Sequence, residues 1–224
     1  MSLAVEVLSI EAWPVVIAER LNLMMAANSG MRLCLATGET TRPLYRRARI
    51  VGEPEIFLLD EFGGLPLADP ARCAAMFRRD LPNQPFHAPD VDAGEPGVAA
   101  EAYGELIDCG GLDLAVVGLG RNGHLGMNEP GSTPRSATRV VDLADSTSER
   151  ALTYGASIRP LWGITVGIEE LMAARELWLM VTGAHKTEIL RTALEGPIGP
   201  NVPATFLREH DNAMVLADAA AAGH

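Results

Sequence analysis

The sequence predicts an α/β protein with a mostly parallel central sheet that helices cover on both faces. Short apolar segments alternate along the chain with segments of helical periodicity. The apolar segments are continuous rather than alternating in polarity, which is typical of parallel strands buried on both faces. Because the 224 residues contain no linker-like change in composition, we expect one domain spanning residues 1–224.

The predicted elements follow one another in a regular order. The first helix begins near Glu11 and ends at Ala27, before the stop signal Asn28-Ser29-Gly30. Strands are predicted at 32–36, 55–59, 112–119, 176–181 and 213–217. Further helices are predicted near 43–48, 71–79, 98–109, 185–194 and 203–208. This βα order is the one that builds a parallel sheet.

Charge and cysteine content exclude several classes of partner. A net charge of −11 and a pI near 4.9 argue against nucleic acid, which binds clustered positive charge. No apolar run reaches the roughly 18–20 residues of a membrane span, and no basic leader precedes the domain. Cys34, Cys73 and Cys109 show no CxxC spacing and predict free thiols in a reducing cytoplasm.

Polar side chains follow four of the predicted strands where each strand ends. These clusters are 37–41 (TGETT), 60–61 (DE), 122–129 (NGHLGMNE) and 182–186 (TGAHK). In parallel sheets, ligands bind at the carboxyl ends of the strands. We therefore expect the four clusters to converge on one site.

Two of the clusters carry features that suit an anion. The turn at 37–41 offers backbone N–H groups and hydroxyls, although an ordinary turn with a capping threonine has the same appearance. Glu39 counts against an anion there. Lys186 is the only lysine among 18 basic residues, which favours a site that needs a compact charge, although chance is the alternative.

The other two clusters carry acid–base groups. Asp60 at the mouth of a buried sheet can act as a general base, or the pair 60–61 can cap a helix or form salt bridges. His124 near Glu129 can move protons near neutral pH, unless the segment is only a structural loop. No second His or Cys stands at metal-ligand spacing, so no metal is predicted. Three other histidines have no such setting and are interpreted as surface or packing residues: His87, His185 and His210.

Several stretches together resemble the glucosamine-6-phosphate deaminase family, including its galactosamine-6-phosphate branch. They are LATGETTRPLY, FLLDEFGGLP, GGLDLAVVGLGRNGHLGMNEPG, WGITVGIEELMAARELWLMVTGAHK and NVPATFL, in the family's order from about Arg32 to Asp218. The combination of GxGxNGHxxxNEP with DExxGLP is highly specific. The resemblance implies a three-layer Rossmann-like domain and an aldose–ketose isomerisation of an amino sugar phosphate with loss of ammonia, without a cofactor.

The resemblance also implies a role for each matching residue. Asp60 matches the base that moves a proton between C2 and C1, and His124 matches the group that opens the sugar ring. Asn122 and Glu129 match the two groups that orient that histidine. Lys186 matches the lysine on the substrate phosphate. Further contacts with substrate and phosphate are implied for Thr37, Gly38, Glu39, Thr40, Thr41, Glu61 and Gly123.

Departures from the family pattern bear on the substrate. Asn122 stands where some members have Asp, Thr41 replaces a proline and Glu39 replaces a small residue. The segment from Arg150 to Thr153 lacks the ARFF-like stretch with a second phosphate-binding arginine, and Thr153 occupies the aligned position. The galactosamine branch lacks it too. We therefore expect galactosamine 6-phosphate, giving tagatose 6-phosphate, with glucosamine 6-phosphate, giving fructose 6-phosphate, as the alternative.

Two hypotheses follow from these departures. Arg42 or Arg150 supplies the missing guanidinium, since each lies near a phosphate-site segment in sequence. Val141 stands where regulated members have a lysine, so we expect no strong activation by an N-acetylated sugar phosphate. Charge and length leave open whether the chain is a monomer or a homo-oligomer.

Two other functions remain open from the sequence. A 6-phosphogluconolactonase shares the fold and a GxGxDGH motif but has no counterpart of the NEP segment that contains Glu129. A non-catalytic sugar-phosphate sensor carries a helix-turn-helix, for which the segment before Arg32 is too short. Such a sensor would also have no need to retain Asp60, His124 and Glu129 together.

Overall fold

A computed structural model describes residues 3–224. Within that range the strands are β1 (Ala4–Leu8), β2 (Arg32–Leu35), β3 (Glu55–Leu58), β4 (Asp60–Phe62), β5 (Leu114–Gly118), β6 (Arg139–Asp142), β7 (Trp162–Thr165), β8 (Glu176–Val181) and β9 (Ala213–Asp218). The α-helices are α1 (Trp13–Ala27), α2 (Arg42–Tyr45), α3 (Cys73–Asp80), α4 (Pro96–Asp108), α5 (Asp145–Thr153), α6 (Ile168–Ala173) and α7 (Thr187–Glu195). Short 3-10 helices lie at Ala184–Lys186 and Pro203–Glu209.

Six strands form one parallel sheet in the order β1-β9-β8-β5-β2-β3. In its centre, Ala115 of β5 pairs with Cys34 of β2 on one side and with Leu177 of β8 on the other. Every neighbouring pair in this sheet is parallel. The predicted fold class, a mostly parallel sheet within an α/β protein, is confirmed.

The side chains of each central strand enter two separate cores. Leu114 and Val116 of β5 pack in the core that includes α1, α2 and α3, whereas Ala115 and Val117 pack in the core that includes α4, α6 and α7. Successive side chains of a strand point to opposite faces, so a strand covered on both faces must be apolar at every position. The burial of one aliphatic side chain stabilises the folded state by about 2 kcal/mol.

A second sheet holds the remaining strands in the antiparallel order β4-β7-β6. Asp60 begins β4 and pairs with Thr165 of β7. The prediction that Asp60 and Glu61 close the strand at 55–59 is therefore wrong. The main-sheet strand β3 ends at Leu58, and the chain passes through Leu59 into a different sheet.

Six elements have no counterpart in the sequence prediction: β1, β4, β6, β7, α5 and α6. The edge strands β1 and β6 have alternating or partial burial, and α6 has only six residues, so their apolar patterns are weak. The helix predicted at 185–194 begins instead with the 3-10 turn, and α7 starts at Thr187. The segment predicted as a helix at 203–208 is also a 3-10 helix.

The strand order locates a crevice at the carboxyl edge of the main sheet. From β2 the chain moves outward to β3, whereas from β5 it moves outward through β8 and β9 in the opposite direction. The connections after β2 and β5 therefore leave toward opposite sides and open a crevice between them, where α/β sheets bind ligands.

Two further expectations from composition meet the structure here. No helix among residues 3–224 is long and apolar enough to cross a membrane. Cys34 and Cys73 are buried, Cys109 is exposed, and all three are free thiols. The cytoplasmic location inferred from them stays a prediction.

Glu61 joins β4 to α3 through its buried carboxylate. The side chain is 2% exposed and accepts hydrogen bonds from the backbone N–H groups of Phe62 and Cys73, both at 2.8 Å, and of Ala74 at 3.0 Å. Because Arg72, the residue before α3, caps nothing with its side chain, Glu61 supplies the cap. The expectation that Glu61 contacts substrate is wrong, since it faces the helix and not the crevice.

We predict that Glu61→Ala lowers the free energy of unfolding by about 3 kcal/mol, because it leaves buried N–H groups without a partner. Urea denaturation followed by circular dichroism measures the change. Glu53→Ala, which removes an exposed carboxylate outside any helix, is the control and is expected to change it by less than about 0.5 kcal/mol. Equal losses in the two variants would contradict the capping role.

Candidate active site

A cleft of about 340 Å³ opens at the carboxyl edge of the main sheet. Residues from all four polar clusters line it, so the structure brings the clusters together. They are Thr37, Glu39, Thr40 and Thr41 after β2, Asp60 at the start of β4, His124 after β5, and Thr182, His185 and Lys186 after β8. Three of the clusters converge because they follow parallel strands that end at one edge, whereas Asp60 enters the cleft from the antiparallel sheet.

Four more residues named from the sequence lie behind the cleft wall. Asn122 and Glu129 contact His124 from the side away from the cleft. Gly38 and Gly123 contribute backbone, with φ angles of 118° and 83° that favour glycine. A Cβ on Gly123 would lie 2.4 Å from Val202, so the turn also requires the absence of a side chain.

His124 is held by an ionised carboxylate. Its Nδ1 lies 3.2 Å from Oε2 of Glu129, which also accepts a hydrogen bond of 2.7 Å from the amide of Asn122. The hydroxyl of Thr147 donates to the other carboxylate oxygen. Although burial raises the pKa of Glu129, the hydrogen bond and charge of His124, with these two donors, lower it to about 2.

The charge on Glu129 determines the tautomer of His124. An ionised carboxylate only accepts hydrogen bonds, so the proton between the two groups is on Nδ1. Nε2 is then the ring nitrogen available to a ligand in the cleft. Gly120 supports this orientation, because a Cβ there would lie 2.2 Å from the imidazole Cδ2.

Asp60 is the second acid–base group of the cleft. Burial raises its pKa to about 6, against the hydrogen bond from Cys73 and the charge of His124, which lower it. The Cys73 thiol lies 3.2 Å from Oδ1 of Asp60. Sequence reasoning treated Cys73 only as a buried thiol, because its contact with Asp60 depends on the docking of α3 against β4.

Lys186 lies in a cationic part of the cleft, within reach of the charges of Arg121 and Arg150. Its Nζ donates a hydrogen bond of 2.5 Å to the carbonyl of Leu119, and burial together with the charges of Arg121 and Arg150 lowers its pKa to about 8. The turn before it is held by buried Asp218, whose carboxylate accepts from the N–H of Gly183 at 3.0 Å. An anion beside Lys186 would favour its charged form.

The threonines of the first cluster divide into two kinds. Thr40 reaches across the cleft toward Thr182, with their hydroxyl oxygens 3.4 Å apart. Thr41 is 1% exposed, and its hydroxyl donates at 3.1 Å to the carbonyl of Ala36. That hydrogen bond closes the turn at the position where the family has a proline, so the Thr41 hydroxyl donates its proton to the backbone.

The structure separates the two arginines considered for the phosphate. Arg42 pairs with buried Asp80 at 3.3 Å and does not line the cleft, so that half of the hypothesis is wrong. Arg150 on α5 lines the cleft, donates to the hydroxyl of Tyr154 at 3.1 Å and forms an ion pair with Glu39.

Other cleft residues were missed in the sequence analysis. His185, interpreted as a surface or packing residue, is exposed, and it also lines the cleft beside Lys186. Arg121 also lines the cleft, and its place in GRNGH, in the loop that follows β5, was a usable signal. Thr147, Arg150 and Tyr154 lie on or next to α5, a helix that the sequence did not predict.

Comparison with known proteins gives the family. The profile of the family "Glucosamine-6-phosphate isomerases/6-phosphogluconolactonase" matches residues 9–216. The chain belongs to this family. The resemblance stated from the motifs is therefore confirmed, as is the expectation of an enzyme of the hexosamine-6-phosphate deaminase/isomerase type.

Relatives within the family are similar over most of the chain. A glucosamine-6-phosphate deaminase from Oceanobacillus iheyensis is 35% identical over 206 residues, which cover 84% of this chain and 82% of that protein. One from Leuconostoc citreum is 37% identical over 202 residues, covering 84% and 85%. These names favour the alternative epimer of the sequence analysis over galactosamine, its first choice.

Solved structures agree with the architecture. A monomeric glucosamine-6-phosphate deaminase superposes with a TM-score of 0.92 at 28% identity, covering 99% of both chains. A 6-phosphogluconolactonase from Trypanosoma brucei has a TM-score of 0.78 at 19% identity, covering 99% of this chain and 98% of that one. The second likeness shows a shared fold alone.

We predict that Cys73→Ala raises the pKa of Asp60, because it removes a hydrogen bond to the carboxylate. The shift should be about 0.5–1 pH unit, since such a bond contributes about 1 kcal/mol and 1.36 kcal/mol equals one unit. NMR titration of the Asp60 carboxyl carbon measures it. Cys73→Ser, which keeps a donor, is expected to leave the pKa at or below the wild-type value; a rise equal to that of alanine would contradict this.

Proposed function

We propose that the protein converts glucosamine 6-phosphate and water to fructose 6-phosphate and ammonia. One observation carries the proposal: a carboxylate with a pKa of about 6 shares a cleft with a histidine–carboxylate pair and with a cationic end. A base, a ring-opening acid and an anion site are the three elements that this reaction requires. The names of the relatives support the same conclusion.

Ring opening is the first chemical step. The pyranose ring opens when its ring oxygen gains a proton and the hydroxyl on C1 loses one, which leaves an aldehyde at C1. His124 is assigned to this proton transfer through Nε2, because Nδ1 is engaged by Glu129. The carboxylate of Glu129 holds the imidazole in place for this transfer through its contact with Nδ1.

Proton transfer between C2 and C1 follows. Asp60 removes the proton from C2, the electron pair forms a double bond between C1 and C2, and the oxygen on C1 gains a proton. Return of the proton from Asp60 to C1 leaves a protonated imine (an iminium ion) at C2, and its extra proton, equivalent to the one that the C1 oxygen gained, is released when the nitrogen leaves. Water adds there and ammonia leaves, so the atoms balance without an oxidant. A base with a pKa of about 6 is largely ionised at pH 7 and still returns its proton readily.

The phosphate is assigned to the end of the cleft that contains Lys186. The ammonium group, the hydroxyls of Thr40 and Thr182, and the guanidinium of Arg150 converge there. A guanidinium forks onto two phosphate oxygens, whereas an ammonium acts as a point charge, so the two cations serve different contacts. Anchoring the phosphate holds C1 and C2 in a fixed position relative to Asp60.

The first test compares three substrates in parallel. We expect ammonia release from glucosamine 6-phosphate, a kcat/KM at least about tenfold lower for galactosamine 6-phosphate, and no hydrolysis of 6-phosphogluconolactone above background. Asp60→Asn, which retains shape and loses the base, should reduce kcat at least about 100-fold. Preferred turnover of galactosamine 6-phosphate would support the substrate expected from the sequence instead of glucosamine 6-phosphate. Hydrolysis of the lactone alone would overturn the proposal.

We predict a pH dependence with two origins. Activity should fall as the pH drops through about 6, because Asp60 then becomes protonated and no longer accepts the C2 proton. The KM should rise as the pH increases through about 8, because Lys186 then loses its charge. Steady-state rates from pH 5 to 9.5 measure both limbs. Lys186→Arg should remove the rise of KM at alkaline pH, since a guanidinium stays charged. If KM of this variant still rises, a group other than Lys186 causes the rise.

A further inference from the structure

Glu39 is an acid in the part of the cleft that is otherwise cationic and hydroxyl-rich. It lies in the turn after β2, between Thr37 and Thr40, and it lines the cleft. Lys186 and Arg150 lie at the same end. A carboxylate in this position repels a phosphate, so its presence needs an explanation that the proposed reaction does not supply.

The contacts of Glu39 bridge the two sides of the cleft. Its carboxylate forms an ion pair with Arg150 on α5, which lies far away in sequence. Next to this pair, Gly38 packs under Tyr154, and a Cβ on Gly38 would lie 3.0 Å from the Tyr154 hydroxyl. Arg150 also lies over the Tyr154 ring, with Cζ 5.2 Å from the ring centroid. The turn and α5 therefore touch in the part of the cleft assigned to the phosphate.

The pair can be displaced. The side chains of Arg150 and Glu39 are 39% and 54% exposed, and exposed ion pairs are weak because solvent screens them. A phosphate monoester carries more charge than one carboxylate and matches the guanidinium fork. A phosphate in the cleft is thus able to replace Glu39 on Arg150.

We propose that Glu39 occupies Arg150 when no ligand is bound and competes with the substrate phosphate for this guanidinium. This inference rests on the proposed function, because it takes a phosphate monoester as the ligand. Binding then requires an exchange: the carboxylate leaves Arg150 and the phosphate takes its place. The exchange weakens the binding of every phosphate, whereas Asp60, which forms no hydrogen bond or ion pair with Glu39 or Arg150 within residues 3–224, keeps its role in proton transfer.

The first experiment measures the binding of inorganic phosphate by isothermal titration calorimetry at low ionic strength. Glu39→Gln should tighten binding about tenfold, because it removes both the competitor and its charge. Glu149→Gln is the matched control. Glu149 precedes Arg150, lines the same cleft and forms no ion pair within residues 3–224, so its loss should tighten binding by less than about threefold.

A double-mutant cycle separates competition from simple repulsion. With Arg150→Met as background, the added Glu39→Gln substitution should change phosphate binding by less than about twofold, because the contested guanidinium is absent. An equal gain in both backgrounds would show repulsion alone and overturn the proposal. No gain from Glu39→Gln, weaker binding, or no phosphate binding to either protein would overturn it as well.

Turnover distinguishes this inference from the proposed function. With glucosamine 6-phosphate, Glu39→Gln should lower KM severalfold and leave kcat within about twofold of the wild type. If no amino sugar phosphate is turned over and Glu39→Gln still tightens phosphate binding through Arg150, the proposed function fails and the competition holds. If glucosamine 6-phosphate is turned over and Glu39→Gln leaves KM unchanged or raises it, the proposed function holds and the competition fails.

Discussion

The divergence of the chain between β2 and β5 is the constraint on which the site depends. These two strands are neighbours, yet their connections leave the sheet in opposite directions, so the carboxyl edge opens between them. The turn with Thr40 and the loop with His124 form the two sides of that opening. The small antiparallel sheet adds Asp60 from above the edge, and the link from Glu61 to α3 fixes its position.

The surroundings of Asp60 and Glu129 give these two carboxylates different pKa values and therefore different chemical roles. Burial raises the pKa of Asp60 to about 6, whereas hydrogen bonds and the charge of His124 lower that of Glu129 to about 2. One group is therefore suited to exchange a proton near neutral pH, and the other stays charged to hold the imidazole. Such divergence between like groups is typical of acid–base sites.

Departures from the family motifs have structural counterparts at the phosphate end. Thr41 replaces a proline and closes the same turn through a side-chain bond to the Ala36 carbonyl. Glu39 replaces a small residue and pairs with Arg150 across the cleft. Arg150 thus has a counter-ion within the chain itself. A carboxylate that neutralises a cationic end also keeps the guanidinium oriented before any ligand arrives.

The sequence by itself determined the parallel sheet, because strands buried on both faces are apolar at every position, and it determined which loops carry chemistry, because those loops follow the strands. It also identified Asp60, His124 and Lys186 as candidates, since their types and settings in the motifs are specific. Only the tertiary structure decided between Arg42 and Arg150, placed Cys73 against Asp60, and turned Glu61 away from the cleft. These contacts join residues that are far apart in sequence, and they form only because α3 and α5 dock against the rest of the fold. Local periodicity carries no information on such docking.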